Sequence, residues 1–325
     1  MSTSAHTPAS APATAPVPAH GLGRVGIWAA DLDHLSAPEV RRAAAAVEDL
    51  GFGTLWFPET TGREAMAQAA ILLAATRHLT VASGMTDIYA RDPVTAGAAQ
   101  RTLEEAFPGR FLLGLWESHP SLAEAVRGHH YGPAAATMRS YLDALDDAPF
   151  GPPGTAASPN RVLAALDPAM LALAAERARG ATVLGMPVAY TREARAVLGE
   201  DALLAITQLC VLGHDRADTA DRARTTDLAR TAAAAALPNR RDLLRGRGHP
   251  NPDALDSRLV DALVAHGRAE DIARRVQEHF DAGADHVSLH LVTPGPGFAP
   301  VREWERLAEL LPASQHFRGR SVRGS

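Results

Sequence analysis

The amino-acid sequence predicts an α/β fold, a (β/α)8 TIM barrel in which eight parallel strands close on themselves under a coat of helices. Short apolar runs of strand length alternate with helix-length segments through residues 23–292. Strict alternation of this kind implies a parallel sheet covered by helices. About eight such units follow one another, the number that closes a barrel, and chemistry in that fold sits at the carboxyl ends of the strands. The strand-to-helix junctions carry the expected punctuation. Asp92-Pro93 and Asp167-Pro168 each supply an N-cap acceptor followed by an N1 proline, and Ser36-Ala37-Pro38-Glu39 is a capping box.

The predicted strands, in order, are 24–29, 54–57, 79–83, 110–115, 161–166, 181–184, 203–212 and 286–292; each is short, apolar and bounded by turn or cap residues, as buried parallel strands are. The predicted helices are 38–50, 63–76, 93–106, 133–148, 168–179, 191–198, 216–235 and 269–282, and Gly51, Gly180 and Gly283 follow three of them at the position that favours glycine. Two stretches exceed a minimal barrel, 117–132 and 237–265. Long connections in a compact domain carry function or close over it. The first follows the fourth strand directly and is the better lid candidate; the second suits a helical hairpin at a subunit interface. A linker at 150–159 marks the middle of the barrel. Residues 21–315 thus read as one domain, preceded by a disordered arm at 1–20 and followed by a tail at 316–325.

Composition narrows the chemistry. All 32 basic residues are arginine, which excludes a Schiff-base lysine, a P-loop lysine and a pyridoxal enzyme. A net charge of −5 with arginine scattered along the helices leaves no stripe for nucleic acid or an anionic membrane surface. The arm at 1–20 has neither a basic start nor an apolar stretch, so it is no signal peptide, and no run approaches the roughly 18 residues that span a bilayer. A cytoplasmic location is expected. The single cysteine, Cys210, lies in an apolar strand and reads as a small core hydrophobe.

Familiar motifs fall away on inspection. Gly21-Leu-Gly23-Arg-Val-Gly26 spells a dinucleotide fingerprint but lies before and inside the first strand, whereas the fingerprint follows a strand and opens a helix. His129-His130 are backbone neighbours that point apart with no acid at helical spacing, so a surface loop is preferred to a metal site, and none is expected. No nucleophile elbow, zincin helix or C-x-x-C occurs.

What remains are polar groups at strand ends: Asp31 after the first strand, Glu59 after the second, Thr86 and Asp87 after the third, Glu117 and His119 after the fourth, and His290 on the eighth. In His286-Val-Ser-Leu-His290 the period of two puts His286, Ser288 and His290 on one face. The apolar face meets the helices, so His290 points into the barrel near its mouth, either toward a ligand or as a buried imidazole bonded to Ser or Thr neighbours. Glu59 has a competing role in capping the helix that starts near Arg63, and Asp31 in bridging to an adjacent loop.

A set of phrases in fixed order now stands out: Gly51-Phe-Gly-Thr-Leu-Trp-Phe-Pro-Glu59, Val81-Ala-Ser-Gly-Met85, Ala90-Arg-Asp-Pro93, Pro108-Gly-Arg-Phe-Leu-Leu-Gly114 and Asp281-Ala-Gly-Ala-Asp-His286-Val. Together, over about residues 22–312, they resemble the bacterial-luciferase-like superfamily, and within it the actinobacterial coenzyme F420-dependent oxidoreductases. The resemblance implies a luciferase-like monooxygenase type of barrel, a homodimer, and a deazaflavin (F420) or a flavin (FMN) across the strand ends. It places Gly84 and Met85 at a non-prolyl cis peptide behind the cofactor ring, with Glu59 nearby. It places Gly180, Ala181 and the Thr191 hydroxyl near the cofactor phosphates, and His119, with Glu117 or His290 as second choice, as the proton donor. Trp116, Asp31 and Trp28 are implied to line the substrate pocket. Trp116 and Glu117 stand where relatives carry small apolar residues, which implies an altered substrate. The implied activity is hydride transfer from reduced F420 to a C=C, C=N or C=O bond of a small organic molecule, in keeping with specialised metabolism. FMN-dependent monooxygenation, a cofactor-free protein using acid/base residues, and a non-catalytic partner subunit are the alternatives.

Overall fold

The computed structural model describes residues 21–149, 151–152, 160–213, 219–295 and 297–311. The arm at 1–20, the tail at 316–325 and most of the linker at 150–159 lie outside the described residues. Eight strands form the barrel: β1 (Val25–Trp28), β2 (Thr54–Phe57), β3 (Thr80–Ser83), β5 (Phe111–Trp116), β6 (Arg161–Ala164), β7 (Gly180–Leu184), β8 (Leu203–Leu212) and β10 (His286–Leu291). Every neighbouring pair is parallel, and β10 pairs with both β8 and β1, which closes the ring. All eight coincide with the strands expected from the sequence. Two others do not: β4 (Thr86–Asp87) pairs with the end of β5, and β9 (Val264–Gly267) with the end of β8.

Side-chain alternation divides the barrel wall. Val25, Ile27, Leu55, Phe57, Leu113, Leu115, Val287 and Leu289 face outward and join the helices in the main core. Leu22, Trp56, Ala82, Leu112, Val162 and Ala205 fill the interior. Near the amino ends of the strands the Trp56 indole donates to His286 Nε2 at 3.0 Å. An indole N–H can only donate, so His286 Nε2 accepts and its Nδ1–H donates to the Gly23 carbonyl at 2.8 Å. Burial holds this imidazole neutral, with its pKa pushed down to about 4.

The helix starts follow their caps. In α1 (Ala37–Asp49) Glu39 reaches back to the Ser36 N–H at 2.8 Å. Asp92 caps α3 (Pro93–Ala106) through Thr95 N, and Asp167 caps α5 (Pro168–Arg177) through Met170 N. The remaining cladding helices are α2 (Ala65–Ala74), α4 (Ala134–Asp146), α6 (Val188–Leu198), α10 (Ala269–Asp281) and α11 (Val301–Ala308). The 117–132 segment holds a π-helical turn, Ser121–Val126.

The second insertion is larger than the sequence suggests. Helix α7 (Thr219–Ala236), expected to clad the barrel, packs instead with α8 (Arg241–Arg245), α9 (Ser257–Leu263), β9 and the overhanging end of β8. Leu209, Val211, Ala229, Ala233, Leu244, Leu259, Leu263 and Val264 make a second, separate core. Helix α10, which follows β9, takes the cladding position between β8 and β10. No described helix is long and apolar enough to cross a membrane.

Candidate functional site

The carboxyl end of β3 is shaped by Ser83-Gly84-Met85, and the Gly84-Met85 bond is cis, as the resemblance implied. Three neighbouring segments hold this turn: Gly84 N donates to Phe57 O at 2.6 Å, Glu59 N to Met85 O at 3.1 Å, and the Ser83 hydroxyl bridges both backbone groups of Gly114, accepting from its N–H at 2.8 Å and donating to its carbonyl at 3.1 Å. Gly114 is required there, because a Cβ would lie 2.1 Å from Ser83 O. The Ser83–Gly114 clasp was not legible in the sequence, which places the two 31 positions apart.

Trp28, at the end of β1, donates its indole N–H to Gly84 O at 3.0 Å and lies against the His290 ring with centroids 4.4 Å apart. Trp28, Gly84 and His290 are thus brought together at the mouth. His290 Nδ1 is buried with no partner among the described residues, and burial pushes its pKa down to about 4, so the imidazole is neutral. The Ser and Thr neighbours bond one another instead, Thr207 Oγ1 to Ser288 Oγ at 2.9 Å.

At the end of β5, Trp116 is half-buried and inward by alternation with Leu112. Glu117 follows, half-buried, with Oε2 enclosed and unpartnered among the described residues. Desolvation, with a smaller contribution from Asp167, raises its pKa to about 7. Ser118 then takes a left-handed φ of 72° and donates to Asp87 Oδ2 at 2.9 Å. Asp87 is fully buried and also receives Arg127 Nε at 3.0 Å and Tyr89 N at 2.8 Å, which straps the 117–132 insertion to the barrel. His119 turns back on this insertion, its Nδ1 2.8 Å from Ser121 Oγ, and no described contact joins either His119 or Glu117 to Trp28, Gly84 or His290.

Other expected residues are placed elsewhere. Glu59 is buried, and its carboxylate is taken by Ala65 N at 3.1 Å, Asp87 N at 3.0 Å and the Arg91 guanidinium, so it ties the first amide of α2, whose N-cap is Glu64, to the segment after β3. Gly180 and Ala181 open β7 at its amino end, opposite the mouth. A Cβ on Gly180 would lie 2.0 Å from Leu203 O, and Ala181 packs in the outer core. Gly180 thus meets a strand-packing requirement and Ala181 a core one, at the end of β7 away from the mouth where the cofactor reading had placed them. The Thr191 hydroxyl is also buried, 2.8 Å from His279 Nδ1, while His279 Nε2 lies 2.8 Å from Gln208 Oε1. Since that amide oxygen only accepts, Nε2 carries the proton and Nδ1 accepts from Thr191. The threonine's single donor is therefore unavailable to a phosphate. Asp31 stands in the short turn Ala30–His34, half-buried, with desolvation raising its pKa. With Trp28, Leu291, Phe298 and Trp304 it lines a shallow cleft beside the mouth. The bridge to an adjacent loop is made by its neighbour Asp33, which accepts from Arg63 N at 3.1 Å.

The sequence of residues 24–286 matches the family model of the luciferase-like monooxygenases. The chain belongs to that family. It is 30% identical over 120 residues to Rv3520c of Mycobacterium tuberculosis, a protein whose name describes a candidate coenzyme F420-dependent oxidoreductase; the match spans 37% of this chain and one third (33%) of that protein. Among solved structures the fold resembles an F420-dependent secondary alcohol dehydrogenase bound to an F420-acetone adduct, with a TM-score of 0.69 and 14% identity over 90% of this chain and 99% of that one. It also resembles the F420-dependent tetrahydromethanopterin reductase of Methanopyrus kandleri, with a TM-score of 0.66 and 16% identity over 89% and 98%. The FMN-bound oxygenating component of 3,6-diketocamphane monooxygenase from Pseudomonas putida gives 0.63 and 13% over 88% and 96%. At such identities the likeness is one of fold.

Proposed function

We propose that this luciferase-like protein is an oxidoreductase that uses coenzyme F420 to reduce a C=O, C=N or C=C bond of a small organic molecule, with Glu117 as the proton donor. The observation that carries the reading is the Glu117 carboxyl, enclosed at a barrel-strand end with a free oxygen and a pKa near 7. A donor is most effective when its pKa lies near the working pH. His119, the first choice from the sequence, instead shares its Nδ1 with Ser121.

The residues at the mouth fit a planar redox ring. The Cβ direction of Gly84 is filled by the Trp28 and Trp56 indoles, and the Trp28 and His290 rings, tilted 42° to one another, add uncharged aromatic surface at the mouth. When bound, reduced F420 supplies a hydride from its C5. The chain's own part is to orient the acceptor beside Trp116 and Glu117, to exclude water, and to pass the Glu117 proton to the oxygen, nitrogen or carbon that gains electron density. Arg127, through Asp87, holds the insertion that carries Glu117 against the barrel.

The test is equilibrium titration of the purified protein with F420 and with FMN, followed by turnover of Glu117→Gln. Selective F420 binding and a rate loss of roughly 100-fold or more in the variant are expected. Selective binding of FMN, with oxygen consumption, would replace this reading by the monooxygenase one; no binding of either would leave a cofactor-free or non-catalytic barrel. Light scattering of the same sample tests the homodimer that the resemblance implies.

A further inference from the structure

One carboxylate oxygen gathers both ends of the loop that follows Glu117. Strand β5 stops at Trp116, and Ser118 turns the chain with its left-handed φ of 72°, a conformation costly for a residue with a side chain unless its surroundings impose it. The buried Ser118 hydroxyl donates to Asp87 Oδ2 at 2.9 Å. At the far end of the loop Arg127 Nε donates to the same oxygen at 3.0 Å. Between these two points the chain is bonded to itself: Leu122 N and Ala123 N donate to His119 O at 2.9 Å, and Arg127 N donates to Leu122 O at 3.1 Å. The loop is one body, hinged at Ser118 and pinned at Arg127.

Apolar burial does little to hold it. Within the π-helical turn Ser121–Val126 only Ala123 is buried, and Val126 is exposed. Polar bonds supply the rest: the two to Asp87 Oδ2, and one from Arg127 Nη2 to Thr60 O at 2.8 Å. Those to Asp87 are the stronger, because their acceptor is an enclosed anion. Asp87 is itself fixed, with Oδ1 accepting from Tyr89 N at 2.8 Å and its own N–H donating to Glu59 Oε2 at 3.0 Å.

Glu117 stands directly before the hinge, with Oε2 enclosed. The charge of Asp167, which caps α5, disfavours its carboxylate, and Tyr131, stacked on Tyr89 just beyond the loop, has its own hydroxyl pushed up in turn by Glu117. On the loop, His119, Glu124 and Arg127 are engaged by Ser121, Tyr131 N and Asp87. Exclusion of water is therefore the main condition for keeping Glu117 protonated.

We infer that Asp87 is the positioning residue for Glu117: by taking both ends of the 118–127 loop on one oxygen, it keeps the strand end folded and the Glu117 carboxyl out of water. The catalytic consequence rests on the reading of Glu117 as proton donor; the clasp itself does not.

NMR titration of the glutamate carboxyl carbons in the full chain, with Glu117→Gln identifying the signal, reads the Glu117 midpoint without reference to activity. Asp87→Asn removes a negative charge and Arg127→Gln a positive one, so a direct charge effect moves Glu117 in opposite directions, whereas loss of closure moves both downward. A midpoint of about 7 is expected in the wild type, falling below about 6 in Asp87→Asn, Arg127→Gln and Ser118→Ala. Thr191→Val, which destabilises α6 without touching the loop, should keep the wild-type value. The base-side limb of the pH–rate profile should move with the midpoint. An ordinary wild-type midpoint near 4.5, an unchanged midpoint in folded Ser118→Ala and Arg127→Gln, or shifts of opposite sign in Asp87→Asn and Arg127→Gln overturns the proposal. If Asp87→Asn does not fold, the Ser118 and Arg127 variants decide. Should Glu117→Gln turn over as the wild type does, the proton-donor reading falls alone, with the titration still deciding the clasp.

Discussion

The Trp28 indole donates to the carbonyl of Gly84 at 3.0 Å, so the end of β1 holds the turn that closes β3. The contact also excludes any side chain at residue 84: a Cβ would lie 2.7 Å from Trp28 Nε1 and 3.1 Å from Trp56 Cε3. Gly84→Ala is expected to cost roughly 1–3 kcal/mol by overpacking, read by urea denaturation, and Trp28→Phe about 1 kcal/mol from the lost hydrogen bond. The double variant should cost less than the sum, because the phenyl ring vacates part of the space that the added methyl needs.

Glu117 predicts a pH signature in stability. Its pKa in the folded protein, about 7, lies above the ordinary 4.5. The folded state therefore holds the proton more tightly, and the associated stability is complete below pH 4.5 and lost as pH rises to 7. Glu117→Gln removes that loss. The stability of the variant minus that of the wild type should grow between pH 4.5 and 7, by up to about 3 kcal/mol, and stay constant above; a difference independent of pH would refute the assigned environment.

Thr191 separates a structural hydroxyl from a ligand-binding one. Thr191→Val strands the His279 Nδ1 acceptor inside the protein, at a cost of roughly 1–3 kcal/mol in denaturant melts. F420 affinity should be unchanged.

The Glu59–Arg91 pair is buried on both sides, with 4% and 7% of the side chains exposed. Removal of Arg91 leaves the Glu59 carboxylate enclosed, whereas Glu59→Ala leaves Arg91 only the more exposed Glu64 at 2.6 Å and strands the Ala65 and Asp87 amides. A loss of roughly 3–5 kcal/mol is expected. Circular dichroism melts of both single variants and the double should show strong coupling, with the double variant no worse than Glu59→Ala.

Histidine adds an acid limb. Burial lowers the pKa of His286 and His290 to about 4 and that of His279 to about 3. Their stability contribution is present above the ordinary value of 6.5 and is lost as pH falls toward these folded values. Acid melts of His286→Asn should lose part of this slope.

The sequence by itself determined the barrel, because each of its eight strands is a short apolar run bounded by its own caps, and local chemistry suffices to start and stop it. It likewise placed Gly84, Glu117 and His290 at strand ends, since strand direction and the period of two are properties of the chain alone. Only the tertiary structure decided which polar groups remain free. Thr191 meets His279 across 88 positions and His279 meets Gln208 across 71, and no local pattern encodes such pairings. Helix α7 is an alanine-rich helix in either reading; its partners, β9 and α9 rather than the barrel wall, follow from the overhang of β8. The same holds for Glu59 and Glu117. A carboxylate met by three donors and one with an oxygen unpartnered among the described residues look alike in sequence, and they differ only in what the fold brings within hydrogen-bonding distance.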